Sequence, residues 1–76
     1  MGNNIDIYSI HKLANDYIIV NFNENHPYFF EIFNTIESKL NGKIEILEGY
    51  CSIMCDESLL PKIDEIINET LFKFID

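Results

Sequence analysis

The chain contains no arginine and no tryptophan, only five lysines, three glycines, two prolines and two cysteines, and a single valine and a single alanine. Each shortage excludes something. Affinity for phosphate backbones is supplied by clustered Lys and Arg, and here five scattered lysines face thirteen acidic residues, for a formal charge of −8 and a pI near 4.4. Direct binding of nucleic acid is therefore not expected, and attachment to anionic lipid fails for the same reason. Three isolated glycines form no phosphate-cradling loop. No stretch approaches the ~18 apolar residues of a membrane span. The opening MGNNIDIYSI lacks a basic region followed by an apolar run, so a cytoplasmic protein without a membrane partner is expected.

What is present is enough for one small fold. Seventy-six residues make a single domain, 1–76, with 47% hydrophobic and 24% charged residues, a balance that suits a folded globular chain and not a disordered one. A chain of this size buries only roughly 60% of the surface that its unfolded form exposes, which limits it to about one sheet with helices on it. Fourteen isoleucines and six phenylalanines supply most of the apolar bulk.

Residues 5–13 (IDIYSIHKL) and 17–23 (YIIVNFN) are rich in β-branched and aromatic side chains and are separated by the turn formers Ala14, Asn15 and Asp16, the pattern of a β-hairpin. In the second strand Ile18, Val20 and Phe22 share one face, leaving Tyr17, Ile19 and Asn21 on the other. The face of the first strand is ambiguous, so either Tyr8 or Ile7 joins the outer set. The sequence NENHP then interrupts the alternation, with Pro27 suited to a first helical turn and Asn25 or His26 placed to cap it. Phe29, Phe33, Ile36 and Leu40 recur at helical spacing, and Asn41-Gly42 is a terminator, so a helix is predicted over about 27–40.

Residues 43–55 carry a parity conflict: Ile44 and Ile46 are even, whereas Cys51, Ile53 and Cys55 are odd. A straight strand would turn half of them outward. A two-residue turn at Glu48-Gly49 resolves the conflict by setting Leu47 opposite Tyr50, Ile46 opposite Cys51, Glu45 opposite Ser52 and Ile44 opposite Ile53. The remaining segment predicts a second helix over about 58–75, capped by Asp56 or Ser58, with Pro61 in its first turn. Leu59, Leu60, Ile63, Ile66, Ile67, Leu71 and Phe74 form its apolar face.

The order is ββαββα. A crossover through the first helix followed by a tight hairpin returns the fourth strand between the second and third. The expected α+β fold is a four-stranded antiparallel sheet of order 1-2-4-3 with two helices on one face. That order resembles a ferredoxin-like sheet, circularly permuted so that its last strand stands first.

Little in the chain suggests catalysis. Cys51 and Cys55 are expected on the same apolar face as Ile53, too far apart along a strand to bridge each other easily. A structural zinc site wants four ligands, and His11 and His26 fall on separate elements. The spacing also differs from the CxxC of redox pairs, so both read as buried free thiols with no metal and no cofactor. Ser9, Ser38, Ser52 and Ser58 stand in no Ser-His-Asp context. Adjacent carboxylates such as Asp56-Glu57 and Asp64-Glu65 diverge by about 100° on a helix and do not converge as an acid-base pair. The expectation is a binding protein and not an enzyme.

Two function classes follow. A small acidic domain is attracted to basic surfaces, and these are commonly the surfaces that bind nucleic acid. The first reading is an inhibitor of anti-CRISPR, anti-defence or immunity type that covers the basic surface of a nuclease or defence complex. Its expected contacts are Asp56, Glu57, Asp64, Glu65 and Glu69, with Tyr17 and Tyr50 on an open sheet face. Asp64, Glu65 and Glu69 are expected to lie outside the core, free for charge reversal. The alternative is a ferredoxin-like regulatory or assembly module that forms a homodimer through its exposed sheet face, where Ile19 and Leu47 accompany the tyrosines.

Overall fold

The computed structural model describes residues 7–74. Its elements are β1 (Tyr8–Lys12), β2 (Tyr17–Phe22), α1 (Phe29–Lys39), β3 (Ile44–Ile46), β4 (Ser52–Asp56), a short 3-10 helix (Glu57–Leu59) and α2 (Leu60–Phe72). The strands form one antiparallel sheet of order β1-β2-β4-β3. The expected start of the first strand at residue 5 lies outside the described residues, whereas the second helix ends at Phe72, with Lys73 as its C-cap, three residues short of the expected 75.

Alternation along the strands decides which face carries the core. Ile18, Val20 and Phe22 of β2 and Ile53 and Cys55 of β4 join Ile32, Phe33 and Ile36 of α1 and Ile63, Ile66 and Ile67 of α2 in one apolar cluster. Both helices therefore cover the same face of the sheet. Tyr17 and Asn21, on the alternate positions, are exposed, and Ile19 and Met54 between them are half-buried, so the second face is open. Six of the eight largest fully buried side chains are isoleucines, and each stabilises the fold by about 1.5–3 kcal/mol relative to exposure before its ordering entropy is counted.

The β1–β2 turn has the predicted chemistry. Asn15 and Asp16 both take positive φ, 60° and 66°, a conformation that short polar side chains tolerate. α1 starts two residues later than predicted. Neither Asn25 nor His26 is its N-cap; that position is Tyr28, and Pro27 lies in the preceding turn. The backbone of residues 23–28 is held locally instead: Asn23 Oδ1 accepts from the Asn25 N–H, and His26 Nδ1 from the Tyr28 N–H. At the other end Gly42 takes φ +88°, as expected of a helix terminator.

The second hairpin differs from the predicted register by two residues. Ile44 lies opposite Cys55, Glu45 opposite Met54 and Ile46 opposite Ile53. The connection is longer than a two-residue turn: the Leu47 N–H donates to the Ser52 carbonyl at 2.9 Å and the Tyr50 N–H to the Leu47 carbonyl at 3.1 Å. A two-residue hairpin turn demands positive φ at its first central residue, which would have been Glu48. The longer loop moves that demand to Gly49 (φ 98°) and Tyr50 (φ 57°). A shift of two keeps each side chain on its own face, so Ile44, Ile46, Ile53 and Cys55 still point to the helices.

Candidate functional site

Asp56 ends β4, and its carboxylate accepts the Ser58 N–H at 2.9 Å, capping the 3-10 helix. That backbone hydrogen bond, with further help from the Ser58 side chain, holds the carboxyl below its ordinary value. Glu57 follows, and its side chain pairs with Lys12 of β1 at 2.9 Å. The Lys12 ammonium is pushed up, first by that hydrogen bond and then by the Glu57 charge. The Glu57 N–H donates to the Asp16 carbonyl at 2.7 Å, which draws the first hairpin turn onto the start of the 3-10 helix. Tyr17 stands beside Asp56 across the β2–β4 ladder. Asp16, Asp56 and Glu57 thus gather at one corner of the sheet, with Lys12 and Tyr17 beside them.

The band continues along α2. Asp64 accepts a hydrogen bond from the Tyr8 hydroxyl, which ties α2 to β1, while the Lys12–Glu57 pair ties the preceding 3-10 helix to the same strand. Burial, and then the hydrogen bond to Asp64, pushes the Tyr8 hydroxyl up to about 12. Asp64 is exposed yet anchored, so it does not fit the expectation of a charge free for reversal. Glu65 approaches Lys62 at 3.7 Å, both of them largely in solvent, a pair worth little to stability. Glu69 is exposed.

Of the two tyrosines expected on the open sheet face, Tyr17 is there and is 48% exposed. Tyr50 is not; it stands in the β3–β4 loop, 74% exposed, ahead of the first residue of β4. Neither Tyr8 nor Ile7 joins the open face. Tyr8 lies opposite Phe22 and shares its face, and Ile7 is buried in the core. The apolar centre of the open face is instead the cross-strand pair Ile19 and Met54, flanked by His11 and Glu45.

Asp16 was not singled out by sequence reasoning, because its proximity to Glu57 depends on a contact across forty residues of chain; the only local signal was its place in an Asn-Asp turn. Met54 was not singled out either, although its place between Ile53 and Cys55 sets it on the opposite face by strand alternation in either register.

Cys55 is buried on the helix side of β4, where burial pushes its thiol up. Cys51 packs against the same core, opposite Phe22 and on the expected face, but it precedes β4 and is only half-buried. No group of three or more His, Cys, Asp or Glu residues that could hold a metal ion occurs among the described residues. Those residues enclose no pocket, and no helix among them is long and apolar enough to cross a membrane. Comparison with known protein families, curated proteins and solved structures returns no match to the chain.

Proposed function

We propose that this protein is a small acidic inhibitor that binds the basic, nucleic-acid-binding surface of a nuclease or defence complex, in the manner of anti-CRISPR or immunity proteins. The contact surface runs from the corner formed by Asp16, Asp56 and Glu57 to Asp64, Glu65 and Glu69 of α2, with Tyr17 at its margin. One observation carries the reading: every described carboxylate except the half-buried Glu57 is exposed, in a chain with five lysines and no arginine. The negative charge faces solvent and is not consumed in a buried network. Such a surface draws in a basic groove and repels the nucleic acid that competes for it. Tyr17 adds a rigid aromatic anchor at the edge of the charged region.

We further read the sheet as ferredoxin-like with its last strand moved to the front of the chain. In that light the open face with Ile19, Met54 and Tyr17 favours a second reading, a dimeric regulatory or assembly module.

Capture of partners on tagged protein at low and at moderate salt, followed by competition of the captured partner with labelled nucleic acid, tests the first reading. The expected result is a nucleic-acid-binding partner whose capture weakens with salt and which releases its nucleic acid as the acidic protein saturates it. A partner that keeps its nucleic acid, or whose capture is unaffected by salt, rejects the proposal.

A further inference from the structure

β1 is an edge strand of the sheet. The Leu13 N–H donates to the Tyr17 carbonyl at 2.7 Å and the Asn23 N–H to the Ile7 carbonyl at 2.8 Å, which identifies 13/17 and 7/23 as hydrogen-bonded positions of the β1–β2 ladder. Hydrogen-bonded and non-hydrogen-bonded pairs alternate in an antiparallel ladder, and the register sets Tyr8, Ile10 and Lys12 opposite Phe22, Val20 and Ile18. Those three residues are the non-hydrogen-bonded ones. Their N–H and C=O groups therefore point away from β2, to an edge on which no further strand lies among the described residues.

The side chains add a second observation. Tyr8, Ile10 and Lys12 share the face that the helices cover elsewhere, yet Ile10 is 44% exposed. Tyr8 is tied to Asp64 of α2 and Lys12 to Glu57 of the 3-10 helix, on either side of Ile10, and among the described residues no element covers the edge between them.

We propose that β1 is the seam of a homodimer, in which two copies pair antiparallel about a two-fold axis at Ile10 to make one continuous eight-stranded sheet. This goes beyond the inhibitor reading and does not depend on it. The two-fold register sets Ile10 opposite Ile10 of the second copy, and Tyr8 opposite Lys12. All three outward-facing residues then exchange both backbone hydrogen bonds with the second chain. The two exposed isoleucines cover one another, and each Lys12 ammonium comes beside a Tyr8 whose hydroxyl is held on Asp64, so that the seam alternates positive and negative groups. On the opposite face Ser9 lies against His11, and no like charges meet directly. A shift of this register by two residues sacrifices one of the three outward residues, so Ile10 is the centre that uses the edge fully. The β3 edge offers less, since it is three residues long and only Ile44 and Ile46 direct their backbone groups outward.

The test is sedimentation of the full chain from micromolar to millimolar concentration, with Ile10→Pro, Ile10→Lys and Ile19→Lys variants. Wild type is expected to pass from monomer to dimer, the more so at higher ionic strength, because two chains of charge −8 repel. Ile10→Pro removes only an N–H that faces the edge, and Ile10→Lys sets two ammonium groups opposite each other. Each is expected to weaken self-association at least tenfold, roughly 1.4 kcal/mol, with an unchanged far-ultraviolet circular dichroism spectrum. Should Ile10→Pro fail to fold, Ile10→Lys decides, since its longer side chain reaches solvent from a partly exposed position. Ile19→Lys, on the open face, is expected to dimerise like wild type. A wild type that stays monomeric throughout, an Ile10→Lys variant that associates undiminished, or loss of the dimer in Ile19→Lys would each overturn the proposal, the last by moving the seam to the open face.

Discussion

Replacing Gly49 with valine isolates the backbone demand of the β3–β4 loop. A Cβ built at Gly49 meets nothing within 4 Å, so crowding adds nothing to the effect. What remains is φ +98°, a region that L side chains rarely adopt. The left-handed conformation costs an L-residue about 1–2 kcal/mol, and a β-branched residue falls at the upper end. Removing glycine also restricts the unfolded chain, which offsets about 0.4–1 kcal/mol. The net expectation is a destabilisation of about 1 kcal/mol for Gly49→Val and less for Gly49→Ala. At roughly 0.05–0.15 kcal/mol per residue, a 76-residue chain has about 4–11 kcal/mol in all, so the change is measurable. Urea unfolding followed by circular dichroism should show the midpoint falling by about 0.3–1 M at an unchanged slope. Tyr50 offers the converse, because it too lies in the left-handed region and asparagine tolerates that region better; Tyr50→Asn should raise the midpoint. An unchanged midpoint in Gly49→Val, at the same slope, would refute the left-handed assignment and with it the longer loop.

Ultraviolet titration of the tyrosinates should resolve one group near pH 12 that disappears in Tyr8→Phe. Because the folded chain holds that proton more tightly than the unfolded chain, whose tyrosine titrates near 10, stability should fall as pH rises from about 10 to about 12, and Tyr8→Phe should lose that slope. Charge reversal at Glu65 and Glu69 together, sparing the anchored Asp64, should slow association with a basic partner while leaving the unfolding midpoint in place; stopped-flow rates equal to wild type at low salt would confine the acidic helix to solubility. Cys55→Ser should cost about 1–3 kcal/mol by burying a hydroxyl among apolar neighbours, and the half-buried Cys51 should tolerate serine at a smaller cost. Equal losses at the two positions, measured by denaturation, would contradict their different burial.

Periodicity carried most of the architecture because burial is one-sided. Ile18, Val20 and Phe22 could only be an inner face, and the run Phe29, Ile32, Phe33 and Ile36 only a helical one, so element order and the faces of β2, β4 and the helices were legible in the sequence; the face of β1, where Ile7, Tyr8 and Ile10 do not alternate cleanly, was not. Nor was the register of the second hairpin. Parity reports the face of a side chain and is blind to a slip of two residues, and the choice between slips rested on the φ of Glu48, Gly49 and Tyr50. The start of α1 was obscured similarly, since Pro27 is equally at home in the turn that precedes a helix. At the candidate site, the carboxylates of α2 could be read from helical spacing. The meeting of Asp16 with Glu57, and of Tyr8 with Asp64, joins residues far apart in the chain and needs the whole sheet to be assembled first.

The strand order also sets how the chain can reach its folded state. β1–β2 and β3–β4 are hairpins that close over short loops, and α1 and α2 are local by nature, so four pieces can form without waiting for one another. The β2–β4 ladder is different. It joins residues 17–22 to residues 52–56 and can form only after the intervening chain has surrendered its freedom. Docking of the two hairpins along that ladder, with closure of the helices over Val20 and Ile53, is therefore the expected rate-limiting event, and the overall speed should fall between that of helical bundles and that of all-β domains. Truncating Ile53 should slow folding, whereas the loop change at Gly49 should act on either limb according to how early its hairpin closes. The centre of the sheet, where the core is driest, is thus expected to be made in the step that limits the rate.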